Sequence, residues 1–566
     1  MNETSIDELL KQGFYQHKRG NFTLAKQHYL NILQKEPKHI EAMHLLGMLC
    51  AQTNEYTEAV SWLEKTISFD SENPLFHNHL GNAYKGLKQY ALAEKHYLKS
   101  LELNPKYAEA HNNLAGLYYL QEDYAKALQH YYFSLKAKPD YVEAHSNLGL
   151  LFMKQGKLKE AEKQFQNVLK LNPNSLMAHY QLGNLYLHKG KYNLAEKQYY
   201  LVLSWNPEHI EALNNMGVLS LKQKKPQEAI EYFTKVLILN EHHLEARSNI
   251  AATFLHFDRF ENAITQYYEL LKLDPNYPNV QYNLGVAFMS LGRLSEAIQS
   301  FQKAILENPK DANAHTNLAT IYIKLHDIEK AKQYFKESLR INPTDESVKF
   351  MLNALTHEHD YKKTPIQYVA NLFDNYAVQY EQHLTIQLQY RLPVEFKRAL
   401  SELTDFPKLK WRILDLGCGT GLSGEVFKDS AKYLLGVDLS SKMLKIARDK
   451  KLYNRLFEQG IQEFLLENRD KFDLIIAADV FNYVGDLKEI FQEIKPRLTD
   501  SGLFIFSVEK TSQYPYLLET TARFSHHEKY IRELCQQFGL NILLCKEVVA
   551  RIQDNQPVLE NIFICG

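Results

Sequence analysis

The sequence predicts two parts of different fold class: an all-α helical-repeat solenoid over residues 1–357 and, after a helical joint at 358–405, an α/β domain at 406–566. Three observations predict this. A 34-residue period runs through the first part, and fixed periods of that length mark stacked supersecondary units. From Trp411 onward, strand-length apolar runs alternate with amphipathic helices, the pattern of a mostly parallel sheet covered by helices. The first of those runs ends in a glycine-rich turn, Ile413-Leu-Asp-Leu-Gly-Cys-Gly-Thr-Gly421.

Bulk properties narrow the class. At 566 residues the chain is too long for a single core. Lys+Arg 66 against Asp+Glu 67 leaves a net charge of -1, which gives no general attraction to nucleic acid or membrane surfaces. The five cysteines form no CxxC pair, so a reduced, cytoplasmic setting is expected, with neither a disulfide framework nor a zinc site. The start, Met1-Asn-Glu-Thr-Ser-Ile-Asp-Glu, lacks the basic and apolar regions of a signal peptide. No apolar run reaches the roughly 18 residues of a membrane span.

The repeats come first in the chain. Stepping by 34 from Pro37 gives Ser71, Pro105, Pro139, Pro173, Pro207, Glu241, Pro275, Pro309 and Pro343. A second register holds alanine from Ala25 to Ala331 without exception, and a third holds a small residue from Gly13 to Ala319. Four residues after each alanine stands Tyr29, Leu63, Tyr97, Tyr131, Phe165, Tyr199, Phe233, Tyr267, Phe301 or Phe335. Two small residues let a pair of antiparallel helices approach closely, and the aromatic one turn beyond the alanine fills the gap to the neighbour. The proline cannot continue a helix and separates one pair from the next. Much of the count of 36 tyrosines and 29 phenylalanines is therefore ordinary core. The pattern resembles the tetratricopeptide repeat, which implies a solenoid of about ten helix pairs. Asp345 to His357 keeps the helical apolar spacing but loses the small residues, as a capping helix does.

One further register bears on partners. Asn113, Asn147, Gln181, Asn215, Asn249, Asn283 and Asn317 place one side-chain amide per repeat on the first helix of each pair, the helix that faces the concave surface in this family. An amide is both donor and acceptor, so a ladder of them is suited to gripping the backbone of an extended peptide. The ladder resembles the peptide-gripping one in the repeats of O-linked N-acetylglucosamine transferase; the alternative is a merely solvated polar face. Lys11, Leu45 and His79 occupy the register in the first three repeats, so the groove is expected to begin near the fourth.

The joint contains His357, His359 and Asp360; with no second cluster to complete a ligand set, they read as a solvated hinge and not a metal site. Pro365 to Leu384 follows, helical in spacing and rich in aromatics (Tyr368, Phe373, Tyr376, Tyr380), and a further helix from Pro393 to Leu403 leads to the first strand.

In the α/β part, strands are expected at Trp411–Leu416, Tyr433–Val437, Arg455–Glu458, Phe472–Ala477, Gly502–Val508, Leu540–Lys546 and Asn561–Cys565. Ligands of such sheets bind beyond the carboxyl ends of the strands, where the glycine turn lies. No Lys-Ser/Thr follows that turn, which excludes a phosphate-binding P-loop, and Gly417-x-Gly419-x-Gly421 lacks the spacing of a dinucleotide fingerprint. Asp438, ending the second strand, is placed to accept both hydroxyls of a ribose. The glycine turn, Asp438 in Leu434-Leu-Gly-Val-Asp-Leu439, and Phe472-Asp-Leu-Ile-Ile-Ala-Ala-Asp479 together resemble class I S-adenosylmethionine-dependent methyltransferases. Repeats followed by such a Rossmann-like domain look like the bacterial repeat-containing methyltransferases.

The resemblance implies S-adenosyl-L-methionine as cofactor, with Gly417, Cys418, Gly419 and Gly421 facing its amino acid part, Asp415 ordering the loop and Asp438 on the ribose. It further implies Leu439 and Met443 flanking the adenine, Ala478 at the end of the fourth strand, and Tyr376 and Tyr380 closing the pocket from the lid helix. The third motif departs from the family pattern: Glu458-Gln-Gly-Ile461 has no acid at the expected place, which leaves Gln459 or the Ile461 backbone N–H to meet the adenine.

A sulfonium is already activated, so the protein must align a nucleophile, exclude water and, where the nucleophile carries a proton, supply a base. Asp479, Asn482 and Tyr483 are candidates, and His526 and His527 lie in a later segment. Ala478-Asp-Val-Phe-Asn-Tyr483 carries no Asn/Asp-Pro-Pro-Tyr motif, which argues against methylation of exocyclic amines on DNA bases. The expected function is a methyltransferase whose repeats recruit a protein or peptide partner, the substrate itself in the favoured reading, with no nucleic acid or membrane partner. The alternatives are small-molecule methylation with a scaffolding solenoid, and a scaffold with a vestigial catalytic domain.

Overall fold

Each 34-residue period folds into two antiparallel helices, the first spanning 13 residues and the second 14 through the first eight repeats. In the computed structural model the described residues are 5–357, 361–404, 410–553 and 556–566. His359 and Asp360 of the joint, and the expected boundary at 405/406, lie outside them. The chain divides into two units, Met1–Tyr277 and Pro278–Gly566.

The first unit holds eight helix pairs, from Ile6–Lys18 with Phe22–Lys35 to Leu244–His256 with Phe260–Leu273. The registers have the physical basis the sequence suggested. A Cβ added to Gly81, Gly149, Gly183 or Gly217 would lie 2.5–2.6 Å from the ring of Tyr97, Phe165, Tyr199 or Phe233, well inside contact distance. Those four rings are fully buried. Replacing one, as in Phe233→Ala, removes a large side chain from a site walled by helix backbone, a change that costs about 3–5 kcal/mol.

The turn inside each pair carries a register that composition does not advertise. Gly20, Asn54, Lys88, Glu122, Gly156, Gly190, Lys224 and Asp258 recur every 34 residues, and all have φ between 58° and 76°. Helix one ends there with a left-handed residue, which only glycine adopts without strain. The Lys224 side chain is exposed, so Lys224→Gly is expected to raise the urea midpoint of the full chain, by about 1 kcal/mol in the affected repeat.

The second unit begins with two more pairs, Val280–Ser290 with Leu294–Glu307 and Ala312–Lys324 with Ile328–Ile341, then the capping helix Glu346–Thr356. Asp345 caps that helix by accepting the Val348 N–H. After the joint come the lid helix Ile366–Gln382, a π-turn at His383–Gln387 and the helix Leu392–Leu403. The strands are β1 (Trp411–Leu416), β2 (Ala431–Asp438), β3 (Arg455–Glu458), β4 (Phe472–Ala477), β5 (Leu498–Glu509), β6 (Tyr516–Leu518), β7 (Phe524–His526), β8 (Ile542–Gln553) and β9 (Gln556–Cys565).

Seven strands make one sheet in the order β3-β2-β1-β4-β5-β9-β8. The first five are parallel, and β9 runs antiparallel between β5 and β8. The central strands are apolar on both faces because both faces are covered: Ile413, Leu414 and Leu416 of β1 and Leu474 to Ala477 of β4 are fully buried. The order reverses between β1 and β4, which puts a crevice at the carboxyl ends of these strands. β6 and β7 form a separate antiparallel pair that the sequence reading did not anticipate. These strands are three residues long, too short to show a period.

The capping helix is joined to the α/β part by an aromatic cluster. Phe350, fully buried, has its ring 5.3 Å from Tyr361, 5.5 Å from Tyr368 and 6.2 Å from Phe524 of β7. Among the described residues no helix is long and apolar enough to cross a membrane.

Candidate functional site

The glycine turn follows β1 because its backbone demands it. Gly417, Gly419 and Gly421 all have positive φ (67°, 52° and 95°), and a Cβ on Gly417 would lie 2.6 Å from Val480. Gly421 also caps the short helix Leu422–Phe427. The turn is held from β2: the Asp438 carboxylate accepts the Gly419 N–H at 2.8 Å with Oδ2 and the Ser440 N–H at 2.8 Å with Oδ1. Each oxygen keeps a lone pair free. Burial pushes the Asp438 carboxyl up from its ordinary range, against the backbone bonds that pull it down.

Asp415 sits beneath the turn, 1% exposed, where its Oδ2 accepts the Tyr453 hydroxyl at 2.6 Å. Tyr453 packs under both Gly421 and Gly424, a supporting role that no sequence period reveals. Burial pushes the Asp415 carboxyl up to about 7, the Tyr453 hydrogen bond opposes this, and the Asp438 charge adds to it. The folded domain therefore keeps a proton there that the unfolded chain has released above about pH 4. Stability falls as pH rises from about 4 to 7, by at most about 1.4 kcal/mol per pH unit. Asp415→Asn, which still accepts from Tyr453, should flatten that slope in urea titrations at pH 5 and 7.

A cavity of about 660 Å³ opens over the turn. Of the predicted cofactor residues, Tyr380, Gly417, Gly419, Asp438, Leu439, Gln459, Ile461 and Ala478 line it. Asp415, Cys418, Gly421 and Met443 lie outside that wall, and Tyr376 lines a second cavity instead. At the third motif Gln459 is in the wall, but its side-chain amide donates to Glu467 at 2.8 Å. The lid helix is fastened across the site by Asp374, which accepts the Ser440 hydroxyl at 2.6 Å and the Lys442 N–H at 3.2 Å, and by an ion pair of Glu381 with Lys450.

Asp479 follows β4 in a left-handed conformation, φ 59°, costly for a residue with a side chain and typical of functional sites. Its Oδ1 takes Arg523 Nη2 at 2.5 Å, Arg551 Nη1 at 3.4 Å and the Asn482 amide. Arg551 also reaches Glu509 at 2.6 Å and Glu560 at 3.1 Å. Burial raises the Asp479 carboxyl, but the two guanidiniums outweigh it and hold it below the ordinary range. Glu560, fully buried, is displaced upward by burial and by the Asp479 charge. Asp479, Glu509 and Glu560 bring carboxylates within 4.8 Å of one another, with both arginines paired among them.

The remaining candidates have partners of their own. Asn482 is fully buried, donating to Asp479 and accepting the Glu509 N–H at 3.3 Å. Tyr483 lines both cavities and accepts from Arg523 at 3.3 Å. His526 Nε2 lies 2.9 Å and 3.0 Å from the carbonyls of Val484 and Gly485, and burial pushes this imidazole down to about 4. His527 caps the helix Glu528–Gln537 by accepting the Lys529 N–H. Sequence reasoning missed Arg523, Arg551 and Glu560; the signal for Arg551 was a charge inside an apolar strand, Val548-Val-Ala-Arg-Ile552, since such a charge needs a buried partner.

The amide register is partly committed within the repeats. Asn113 and Asn147 donate to Asn78 and Asn112 of the preceding repeat at 3.0 Å, and Asn215 donates to Asn184 at 2.7 Å. Asn317 donates to Tyr282 at 3.5 Å, and Gln181 accepts from Asn184 at 3.4 Å. The Asn249 amide nitrogen is buried without a partner among the described residues. All seven ladder side chains, Asn283 included, are half-buried.

Comparison with known proteins agrees with both halves. A family model described as a methyltransferase domain matches residues 387–544, and tetratricopeptide repeat models match several stretches, among them 47–88, 142–175 and 288–355. A ubiquinone biosynthesis O-methyltransferase from Glaesserella parasuis is 26% identical over 27% of this chain and 72% of its own length. The mitochondrial enzyme of the same name from Rattus norvegicus is 34% identical over 19% of this chain and 33% of its own. A malonyl-(acyl-carrier protein) O-methyltransferase from Hamiltonella defensa is 25% identical over 31% and 69%. Among solved structures, a tetratricopeptide repeat protein from Parabacteroides merdae is 22% identical over 44% of this chain and 99% of its own, TM-score 0.35. The C-terminal domain is thus of the methyltransferase class. Tetratricopeptide repeats precede it in the same chain.

Proposed function

We propose that the protein binds S-adenosylmethionine in the 660 Å³ cavity and transfers its methyl group to an oxygen of a protein or peptide that the solenoid recruits. The observation that carries the reading is Asp438, a carboxylate in the cavity wall whose oxygens are oriented by two backbone N–H groups and still have lone pairs for two ribose hydroxyls. The residues fit the cofactor: Gly419 lines the cavity, and a Cβ added there would stand 3.9 Å from the Tyr380 ring, in the space over the turn. The volume suits a ligand of that size. When bound, the cofactor supplies an activated methyl group. The chain's residues orient it, exclude water beneath the lid helix and set the acceptor in line.

Oxygen as acceptor follows the printed names of the relatives, which are O-methyltransferases. Recruitment through the solenoid rests on the amide register. With the nitrogens of Asn113, Asn147 and Asn215 committed within the repeats, their carbonyl oxygens remain as acceptors for the N–H groups of an extended chain. The expected result for Asn147→Ala with Asn215→Ala is at least a tenfold loss of methyl label entering protein in a cell lysate, with S-adenosylmethionine affinity unchanged. Undiminished labelling of protein by that variant would sink the recruitment reading.

A further inference from the structure

The capping helix Glu346–Thr356 departs from what the end of a solenoid needs. A terminal cap leaves a polar face to water, yet Phe350 and Ala354, one helical turn apart, are 0% and 1% exposed. The α/β part buries them. Leu518 of β6, Ala522 of the following turn and Phe524 of β7 form one cluster with them, and Tyr361 and Tyr368 pack against it. The β6–β7 pair thus supplies the apolar seat on which the cap rests. The same helix also packs on Ile328–Ile341, the last helix of the repeats.

The joint runs from this cluster straight into the wall of the first cavity. Tyr361 packs on the cluster, and the next three residues, Lys362, Lys363 and Thr364, line the cavity. They lie strand-like against the loop after β4. The Lys362 carbonyl accepts the Gly485 and Asp486 N–H groups at 2.9 and 2.7 Å, Lys363 bridges Val484, and the Thr364 N–H donates to the Tyr483 carbonyl at 3.2 Å. The lid helix then divides its faces. Ile366, Val369 and Phe373, spaced along one side, line the cavity, while the Tyr368 ring stands 5.5 Å from that of Phe350.

The loop after β4 is held from the hairpin as well. His526 of β7 has Nε2 2.9 and 3.0 Å from the Val484 and Gly485 carbonyls, and a Cβ on Gly485 would lie 2.7 Å from the Phe524 ring and 2.8 Å from that of Tyr516. Val484 and Asp486 of that loop are themselves in the cavity wall. Cap, hairpin and joint therefore converge on one stretch of wall. Phe350 touches the joint at both ends, Tyr361 before the strand-like segment and Tyr368 after it, so it fixes where that segment lies.

We propose that the capping helix of the solenoid is part of the cofactor site: Phe350 is a positioning residue that holds residues 362–369 against the cavity, so cofactor occupancy and docking of the cap are linked. This rests on the function proposed above and extends its site into the repeat half of the chain. A ligand that binds only while the wall is in place stabilises the docked cap by the factor 1 + [L]/Kd. Undocking must precede exchange of the buried cap amides, so they report that factor. By the same linkage, loosening the cap weakens the cofactor.

The test is hydrogen exchange of the full chain, with and without S-adenosylhomocysteine at about 100 times its Kd. Peptides covering 346–356 and 361–369 are expected to exchange more slowly, by up to about 100-fold, while those covering Ile40–Phe69 of the second repeat keep their rate. Phe350→Ala should raise the Kd of S-adenosylhomocysteine in calorimetry by about tenfold or more. Phe350→Leu, which refills most of the volume, should stay within about threefold of the native value. Thermal unfolding shows that each variant is folded. A cap that exchanges at an unchanged rate while residues 415–421 are protected would overturn the proposal and leave the cofactor site standing. So would a folded Phe350→Ala chain with the native Kd, or equal slowing at Ile40–Phe69, which would be a global effect. Failure of the wild-type chain to bind S-adenosylhomocysteine would overturn both this proposal and the function it rests on.

Discussion

Asp438→Ala is expected to weaken S-adenosylmethionine binding at least 100-fold, a loss of about 2.7 kcal/mol. Two effects combine. In the proposed binding mode the carboxylate accepts two ribose hydroxyls, and hydrogen bonds to a charged acceptor are worth about 1.5–3 kcal/mol each. It is also the anchor of the glycine turn through the Gly419 N–H at 2.8 Å, and of the start of the next helix through Ser440. Removing it leaves the turn held from β2 through the Val437 carbonyl, which accepts the Gly417 and Cys418 N–H groups, but frees the Gly419 end. The fold should survive, because Asp438 is displaced upward by burial, so its charge is a cost to folding that alanine does not carry. Calorimetry for binding, with thermal unfolding as control, separates the two: unchanged affinity in a folded variant would remove Asp438 from the site.

Arg551→Met is expected to destabilise the C-terminal domain by about 3–5 kcal/mol. Arg551, 5% exposed, bridges Asp479, Glu509 and Glu560, and Glu560 is fully buried. Without it, Arg523 alone faces three carboxylates within 4.8 Å of one another. The protein can respond by protonating Glu560, already displaced in that direction, which limits the loss at low pH. Destabilisation should therefore be larger at pH 8 than at pH 5 in urea titrations. Replacing Arg551 with Glu560→Leu in the same chain should recover part of the stability, since an apolar set avoids the desolvation cost that a broken ion network leaves behind.

The repeats were legible in the sequence because periodicity reports packing directly. Gly217 and Phe233 recur with their neighbours every 34 residues because a Cβ at one would strike the ring of the other. The parallel sheet was legible for a similar reason: β1 and β4 are buried on both faces over most of their length and read as short, mainly apolar runs. The left-handed register at Lys88, Glu122 and Lys224 was not legible, since those residue types carry no signature of positive φ. In the site, the glycine turn and Asp438 declared themselves by spacing. Asp374, Tyr453 and Arg523 did not, because each acts through a contact far away in sequence: Asp374 with Ser440, Tyr453 with Asp415, Arg523 with Asp479. The ends of β8 and β9 extend well beyond the predicted spans. The charges at Arg551 and Glu560 break the apolar pattern there, although the ion network buries them.

In the proposed function this chain transfers methyl groups from the cavity built by the glycine turn and Asp438. The most direct measurement is transfer of radiolabelled methyl from S-adenosylmethionine into a cell lysate by the full chain, beside Asp438→Ala. Label is expected in the protein fraction with the native chain, and background label with the variant. Background label with the native chain, or equal label with both, would contradict it.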